Sequence, residues 1–232
     1  MKAGIDITVD VLHILLCLIW EEERTPEDWC KGLIVKLLKK SDLTNCVNWR
    51  GINLMPTAAK VMGKQIIKRI SRRVNKKLRK EQAGFRSGRG TIEQIFVLRN
   101  IIEQTVEWNA SVYICFIDYQ KAFDSVYRET LWRITGSYGI PPKLVRMVQA
   151  MYKGSKCAVI DGAGKTDWFD IKSGVRQGCV MSGFLFLLAI DRVMRKTLRA
   201  GNTEIRWRFT DKLEDLDFTD DLALSSSTRR QL

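Results

Sequence analysis

Apolar and polar positions follow two periods along this chain, and each period predicts a different kind of element. Residues 5–23 set Ile5, Val9, Leu12, Leu15, Leu16 and Ile19 at helical spacing and end in three glutamates, which predicts a packing helix. Residues 29–38 form a strand-like run closed by a turn at Lys39-Lys40-Ser41-Asp42, and 48–56 read as a loop and strand. From 57 to 80 two rows recur every fourth residue. Met62, Ile66, Ile70, Val74 and Leu78 form the apolar row; Lys60, Lys64, Lys68, Arg72, Lys76 and Lys80 form the basic one. Their offset of two residues is about 200°, so the rows occupy opposite faces of one helix.

The second half continues in the same way. A basic, glycine-punctuated loop at 82–90 leads into Thr91-Ile-Glu-Gln94, a capping box that opens a helix to about Trp108. Residues 111–117 are apolar on both alternating faces, which predicts a central, buried strand ending on Asp118. A helix to Tyr138 follows, then one opened by Pro141-Pro142 with Leu144, Val145, Val148 and Met151 turned inward. Residues 157–160 and 168–171 form a hairpin around Asp161-Gly-Ala-Gly164. Ser182 is placed to cap an apolar helix over 184–198, and a last hairpin spans 209–226.

Composition narrows the chemistry. The 232 residues are 45% hydrophobic, enough core for one large domain or two small ones. Lys and Arg number 39 against 26 Asp and Glu, and the resulting +13 points to a polyanionic partner such as nucleic acid or an anionic membrane surface. The six cysteines show no Cys-x-x-Cys spacing and read as thiols of an intracellular protein with no disulfide-linked partner. With His13 the single histidine, a His-based zinc site and Ser-His-Asp catalysis are set aside, so any metal must be bound by carboxylates. The apolar run at 11–20 is about half the ~20 residues a membrane span needs. Asp6 and Asp10 before it are the wrong flank for a signal peptide.

Two clusters stand out against this background. Between Lys60 and Gly90 there are twelve Lys or Arg and one acid, Glu81; a single-sign face of that kind suits contact with phosphates. Asp220 and Asp221 sit where two short strands meet, and adjacent carboxylates are tolerated in water or beside a cation. If the strand ending on Asp118 lies alongside, Asp118, Asp220 and Asp221 form one cluster of hard oxygen ligands, the requirement for holding Mg²⁺ on a substrate's phosphates.

Asn48-Trp-Arg-Gly-Ile-Asn-Leu54, Gln82-Ala-Gly-Phe-Arg-Ser-Gly-Arg-Gly-Thr91, Phe116-Ile-Asp-Tyr-Gln-Lys-Ala-Phe-Asp124, Gly174-Val-Arg-Gln-Gly-Cys-Val-Met-Ser182 and Phe218-Thr-Asp-Asp221 follow one another in order. In these motifs the chain resembles reverse transcriptases of non-long-terminal-repeat (LINE-type) retrotransposons. The resemblance implies an α+β right-hand polymerase whose antiparallel palm sheet packs on helices. It assigns a helical extension at 1–24, fingers at 25–110 and palm at 111–232, with no thumb after the third palm motif. The implied reaction is transfer of a nucleotide from a deoxynucleoside triphosphate to a DNA primer's 3′-OH on an RNA template. The cofactor would be Mg²⁺, with Mn²⁺ as a substitute.

The roles it implies fall on single residues. Asp118, Asp220 and Asp221 are the catalytic metal ligands, joined by the backbone carbonyl of Tyr119. Phe123 is a steric gate whose ring excludes a ribose 2′-OH. Gln177 and Gly178 lie beside nucleotide and template, the glycine allowing close backbone approach. Arg86 and Arg89 neutralise the triphosphate, while Lys60, Lys64, Lys68 and Arg72 follow the nucleic-acid backbone. Thr219 stands where the family has alanine, Gly183 where it has proline, and Leu38 and Ser41 where it has proline and glycine. Those departures, and the want of a thumb to hold a primer, support a second reading: a catalytically inactive nucleic-acid-binding relic that polymerises little or not at all. An RNA-templated RNA polymerase is a third, against which Phe123 argues.

Overall fold

The structure is a computed structural model that describes residues 3–39, 42–162, 164–198, 205–206 and 212–229. In chain order it begins with α1 (Ala3–Glu22), a short α2 (Glu27–Cys30), β1 (Lys31–Leu38), β2 (Trp49–Leu54) and α3 (Thr57–Asn75). Next come α4 (Thr91–Glu107), β3 (Tyr113–Asp118), a single turn α5 (Ala122–Ser125), α6 (Arg128–Ser137) and α7 (Pro142–Tyr152). The remainder comprises β4 (Lys156–Asp161), β5 (Gly164–Lys165), β6 (Phe169–Asp170), α8 (Ser182–Leu198), β7 (Ile205–Arg206), β8 (Lys212–Leu213), β9 (Asp215–Phe218) and β10 (Asp221–Ser226). The chain divides into two compact units that interleave along the sequence: Met1–Val74 with Phe123–Ser182, and Asn75–Ala122 with Gly183–Leu232.

In the first unit, β1 pairs antiparallel with β2 and parallel with β4, giving the order β2-β1-β4-β5 with β6 also on β4. The expected 157–171 hairpin is therefore present, but its first strand is also tied to β1 some 120 residues earlier, a pairing no local pattern announces. Both rows of α3 fall as expected. Met62, Ile66, Ile70 and Val74 are buried, while Lys64, Lys68 and Arg72 are exposed and Lys60 is half-buried. The end of α1 is docked through Trp20, whose ring lies under Arg69 and Lys143, and through Glu23, which accepts two hydrogen bonds from Arg146. Farther back, Ile7, Val11, Ile14 and Leu18 of α1 remain exposed.

The second unit is built on the antiparallel sheet β3-β10-β9. Strand periodicity splits β9 between two environments. Leu216 joins Ile101, Leu213 and Ala223 in an apolar cluster, with Val97 and Leu98 of α4 and Ile114 of β3 packed against it. Asp215 and Asp217 point the other way and are buried beside Arg79 and Asp191 of α8. Helix α8 is apolar and largely buried over residues 184–190, while its last two turns carry Asp191, Arg192, Arg195 and Lys196 and are partly exposed.

Three expectations are corrected. Strand β3 is an edge of its sheet rather than the centre, with Phe116 71% exposed, and β10 takes the central place. No residue of β3 is fully buried: Ile114 packs against the cluster under α4, while Tyr113 and Phe116 are exposed. Helix α3 stops at Asn75, so Lys76, Leu78 and Lys80 lie beyond it, because the chain turns there to carry Arg79 into its carboxylate cluster. The helix at 91 is capped by Gly90, whose N–H donates to the Glu93 carboxylate at 2.8 Å; Thr91 is already its first helical residue. Residues 40 and 41 of the expected Lys-Lys turn, and 209–211 of the last hairpin, lie outside the described residues.

Candidate active site

The β9–β10 hairpin closes on the pair Phe218–Asp221, leaving Thr219 and Asp220 as a two-residue turn. Tight hairpins of this length favour positive φ, and Thr219 adopts φ +63°, an uncommon place for a β-branched residue. On the other side of β10, Asp221 is the direct partner of Asp118 at the end of β3. Residues directly opposite in an antiparallel pair share a face, with Cα atoms about 4.5–5.5 Å apart. Two of the three expected aspartates are thus brought side by side across 103 positions of sequence (221 − 118), and Asp220 adjoins them in the turn. Asp118 and Asp221 are exposed and Asp220 is half-buried. Among the described residues no three such side chains are gathered closely enough to hold a metal ion as they stand. The fit to a divalent cation rests on the register and on a donor set made only of carboxylate oxygens, the type that hard cations take.

Beneath the turn lies a charged cluster that the sequence reading missed. Arg79 donates to Asp215 and Asp217 through its two terminal nitrogens, its backbone N–H donates to Asp191 at 2.9 Å, and Arg195 donates to the same Asp191 at 2.7 Å. Burial, and the negative charge of Asp215 beside it, push the Asp217 carboxyl up to about 8, against which Arg79 pulls down. The signal for the aspartates was present: two acids at i and i+2 of a strand share one face and need a partner there. Arg79 carried none, being one of twelve basic residues in its stretch.

The two expected triphosphate arginines are engaged elsewhere. Arg86 is half-buried and donates to the backbone carbonyls of Arg79 (2.6 Å), Gln82 (3.0 Å) and Asn75 (3.2 Å), while Arg89 donates to the carbonyl of Lys80. Both therefore brace the loop between α3 and α4. The ring of Phe85 lies where a Cβ at Gly183 would be, 2.5 Å away, so the glycine that departs from the family pattern makes room for it.

The other expected site residues belong to the first unit. Phe123 is half-buried, and its carbonyl accepts from Val175 N–H at 2.8 Å, as that of Val126 does from Gly174. These bonds lay the start of the 174–182 motif against the end of the 116–124 motif. The carbonyl of Gln177 accepts from Asn53 N–H at 2.7 Å, and Gly178, at φ +97°, lies where a Cβ would stand 2.8 Å from the Asn53 oxygen. The close backbone approach at this glycine is thus to β2. Between them Arg176, also unforeseen, is buried and donates to the carbonyls of Trp29, Cys30 and Met151 and to the Ser155 hydroxyl. Asp118, Tyr119, Asp220, Asp221, Arg86 and Arg89 lie in one unit; Phe123, Gln177, Gly178, Lys60, Lys64, Lys68 and Arg72 lie in the other.

An antiparallel sheet whose strands lie on either side of a buried helix in sequence, and which ends in opposed aspartates, is the arrangement of a nucleic-acid polymerase palm. Residues 37–232 match the sequence profile of the family described as "Reverse transcriptase (RNA-dependent DNA polymerase)", and the chain belongs to that family. Its relatives are retrotransposon proteins of the LINE-type, non-long-terminal-repeat class. A transposon TX1 protein of Xenopus laevis is 30% identical over 163 residues, 70% of this chain and 12% of that one. The Pol polyprotein of the R2 element of Popillia japonica is 27% identical over 203 residues, 86% of this chain and 28% of that one. The RNA-directed DNA polymerase of the jockey element of Drosophila funebris is 30% identical over 141 residues, 60% of this chain and 15% of that one. The chain thus spans between 12% and 28% of the length of these relatives. Among solved structures, apo telomerase from Candida tropicalis, truncated from its C-terminal domain, superposes with a TM-score of 0.64 at 15% identity over 89% of this chain and 45% of that one. That likeness is one of fold. No helix among the described residues is long and apolar enough to cross a membrane.

Proposed function

We propose that this chain carries the nucleotidyl-transfer centre of an RNA-directed DNA polymerase, extending a DNA primer with deoxynucleoside triphosphates on an RNA template. The observation that carries the reading is the β3–β10 register, which sets Asp118 opposite Asp221 beside the Asp220 turn in a chain of this family. Asp118, Asp220 and Asp221 offer carboxylate oxygens and Tyr119 a backbone carbonyl, the donor type for Mg²⁺ or Mn²⁺. When bound, such an ion lowers the pKa of the attacking hydroxyl and stabilises charge on the transferring phosphate. The attacking group is the substrate's own 3′-OH, so the chain needs no nucleophilic side chain; its task is to position and to balance charge.

The remaining roles follow from shape and charge. The Phe123 ring crowds the sugar and excludes a 2′-OH. Gln177 and Gly178 border the nucleotide and template. The exposed Lys64, Lys68 and Arg72, with half-buried Lys60, follow the phosphate backbone. Arg86 and Arg89 brace their loop through backbone carbonyls, so they act on a triphosphate through their field.

Primer extension with Mg²⁺ on an RNA template tests the reading. Asp118→Asn and Asp220→Asn are expected to abolish extension while template binding persists, and Phe123→Val to admit ribonucleotides without loss of deoxynucleotide use. Extension that survives Asp118→Asn would sink the mechanism. Template binding without extension by the unaltered chain is the outcome that belongs to a non-catalytic nucleic-acid-binding protein.

A further inference from the structure

We infer that Gln82 is a positioning residue for the aspartate turn, its side-chain oxygen tying the turn's backbone to the neighbouring loop so that Asp220 and Asp221 stay in register with Asp118. The inference rests on the proposed reading of those aspartates as ligands.

In a two-residue hairpin turn the ladder hydrogen bonds are made by the closing pair, here Phe218 and Asp221, so the N–H of Thr219 has no ladder partner. Gln82 supplies one. Its side chain is fully buried, and its Oε1 accepts from Gly84 N–H at 2.7 Å and from Thr219 N–H at 3.2 Å. A carbonyl oxygen has two lone pairs, and both are used. Because both donors are backbone amides, the atom facing them must be the oxygen. The amide nitrogen of Gln82 is buried without a hydrogen-bond partner among the described residues, so what the residue contributes runs through its oxygen.

The loop that carries Gln82 is itself aligned with β9. Gln82 and Asp217 form a parallel bridge, with Ala83 N–H donating to the Asp217 carbonyl at 2.9 Å and Asp217 N–H to that of Glu81 at 3.3 Å. Gly84 then passes so close that a Cβ on it would stand 2.4 Å from the Thr219 nitrogen and 2.9 Å from its Cα, both backbone atoms that cannot swing aside. Arg86 closes the far side of the loop on the Gln82 carbonyl, while Arg79 holds the stem of the hairpin through Asp215 and Asp217. Adjacent carboxylates repel, and ligands must be held to about half an ångström to bind a cation well. The Gln82 oxygen holds the backbone of Thr219, a turn residue that lies outside the ladder.

The test uses the 232-residue chain with Mn²⁺ as the probe, comparing Gln82→Met, which removes the oxygen, with Gln82→Glu, which keeps it. Hydrogen exchange is followed by mass spectrometry on peptides covering 216–222, and free Mn²⁺ by electron paramagnetic resonance. Gln82→Met is expected to speed exchange at the turn about tenfold and to weaken Mn²⁺ binding about tenfold, the loss usual when a ligand's supporting partner is removed. Peptides from α4 and from β1–β2 keep their protection, and Gln82→Glu restores both measures. If the unaltered chain has no Mn²⁺ site that Asp118→Asn removes, the reading of the aspartates fails and this inference with it. If that site exists and Gln82→Met binds as tightly with the turn equally protected, the inference alone fails. Should Gln82→Met lose protection everywhere, Gln82→Glu decides: near-native exchange and affinity support the inference, and a loss equal to that of the methionine variant overturns it.

Discussion

Arg79 is held by the carboxyl groups of Asp191, Asp215 and Asp217, all buried, and its side chain is 8% exposed. Removing one member of a buried ion-paired set leaves the others as uncompensated charge, which commonly costs about 3–5 kcal/mol. Arg79→Leu is therefore expected to lower the unfolding free energy by about that amount, read from denaturant midpoints. Asp217 adds a pH dependence whose sign follows from its raised pKa. Between the ordinary carboxyl range near 3.8 and about 8, the folded chain keeps a proton there that the unfolded chain has lost. The stability this provides is full below the unfolded value and falls as pH rises toward 8. Asp217→Asn should flatten the decline in stability between pH 5 and pH 8; an unchanged slope would mean that Asp217 is ionised throughout. At Gly84 the constraint is volume rather than charge. Gly84→Ala must displace the Thr219 backbone, so it is expected to destabilise the hairpin and raise exchange at 216–222, whereas Gly88→Ala, with open space around it but φ +74°, strains only its own turn. Of these residues, Asp215 and Asp217 were legible in principle from their spacing, while Arg79 and Gln82 were not: their roles arise from partners more than 100 positions away.

At the scale of elements, α3 carries the most direct expectation. Its apolar row is buried and Lys64, Lys68 and Arg72 are exposed without a carboxylate partner among the described residues. Replacing those three with alanine should reduce the log–log salt slope of RNA binding by about 2–3 units, since each neutralised phosphate accounts for roughly 0.7–0.9. Fluorescence anisotropy over a salt series measures it, and an unchanged slope would make this a merely solvated face. The helix itself was legible because both rows repeat for four turns. Its end was not, because Lys76 to Lys80 continue the same pattern and the break comes from Arg79 being drawn into a distant cluster. Likewise β3 was recognisable as a strand, but its position at a sheet edge depends on β10, which lies a hundred residues downstream.

For the whole molecule, a net charge of +13 implies binding to polyanions with little regard for sequence. Two unrelated single-stranded RNAs of equal length are expected to bind with equal affinity at a given salt concentration and with equal salt slopes, and a difference in affinity would reveal base readout. The two interleaved units were not visible as segments of sequence, since each is assembled from stretches before and after the other. What the sequence alone determined were the local matters: helix faces from 3.6-residue periodicity, strands from alternation, the acidic turn, the sign of the charge, and a set of motifs in family order. Those depend on neighbours a few residues apart and survive any rearrangement of the rest. Only the tertiary structure decided that Asp118 faces Asp221, that Arg86 and Arg89 spend their donors on loop carbonyls, that Gly178 lies against β2, and that Gln82 reaches Thr219. Each of these is a hydrogen bond or a close contact between residues far apart in sequence. Which of many chemically equivalent partners is chosen depends on strand register and on burial, and neither is expressed in any short run of residues.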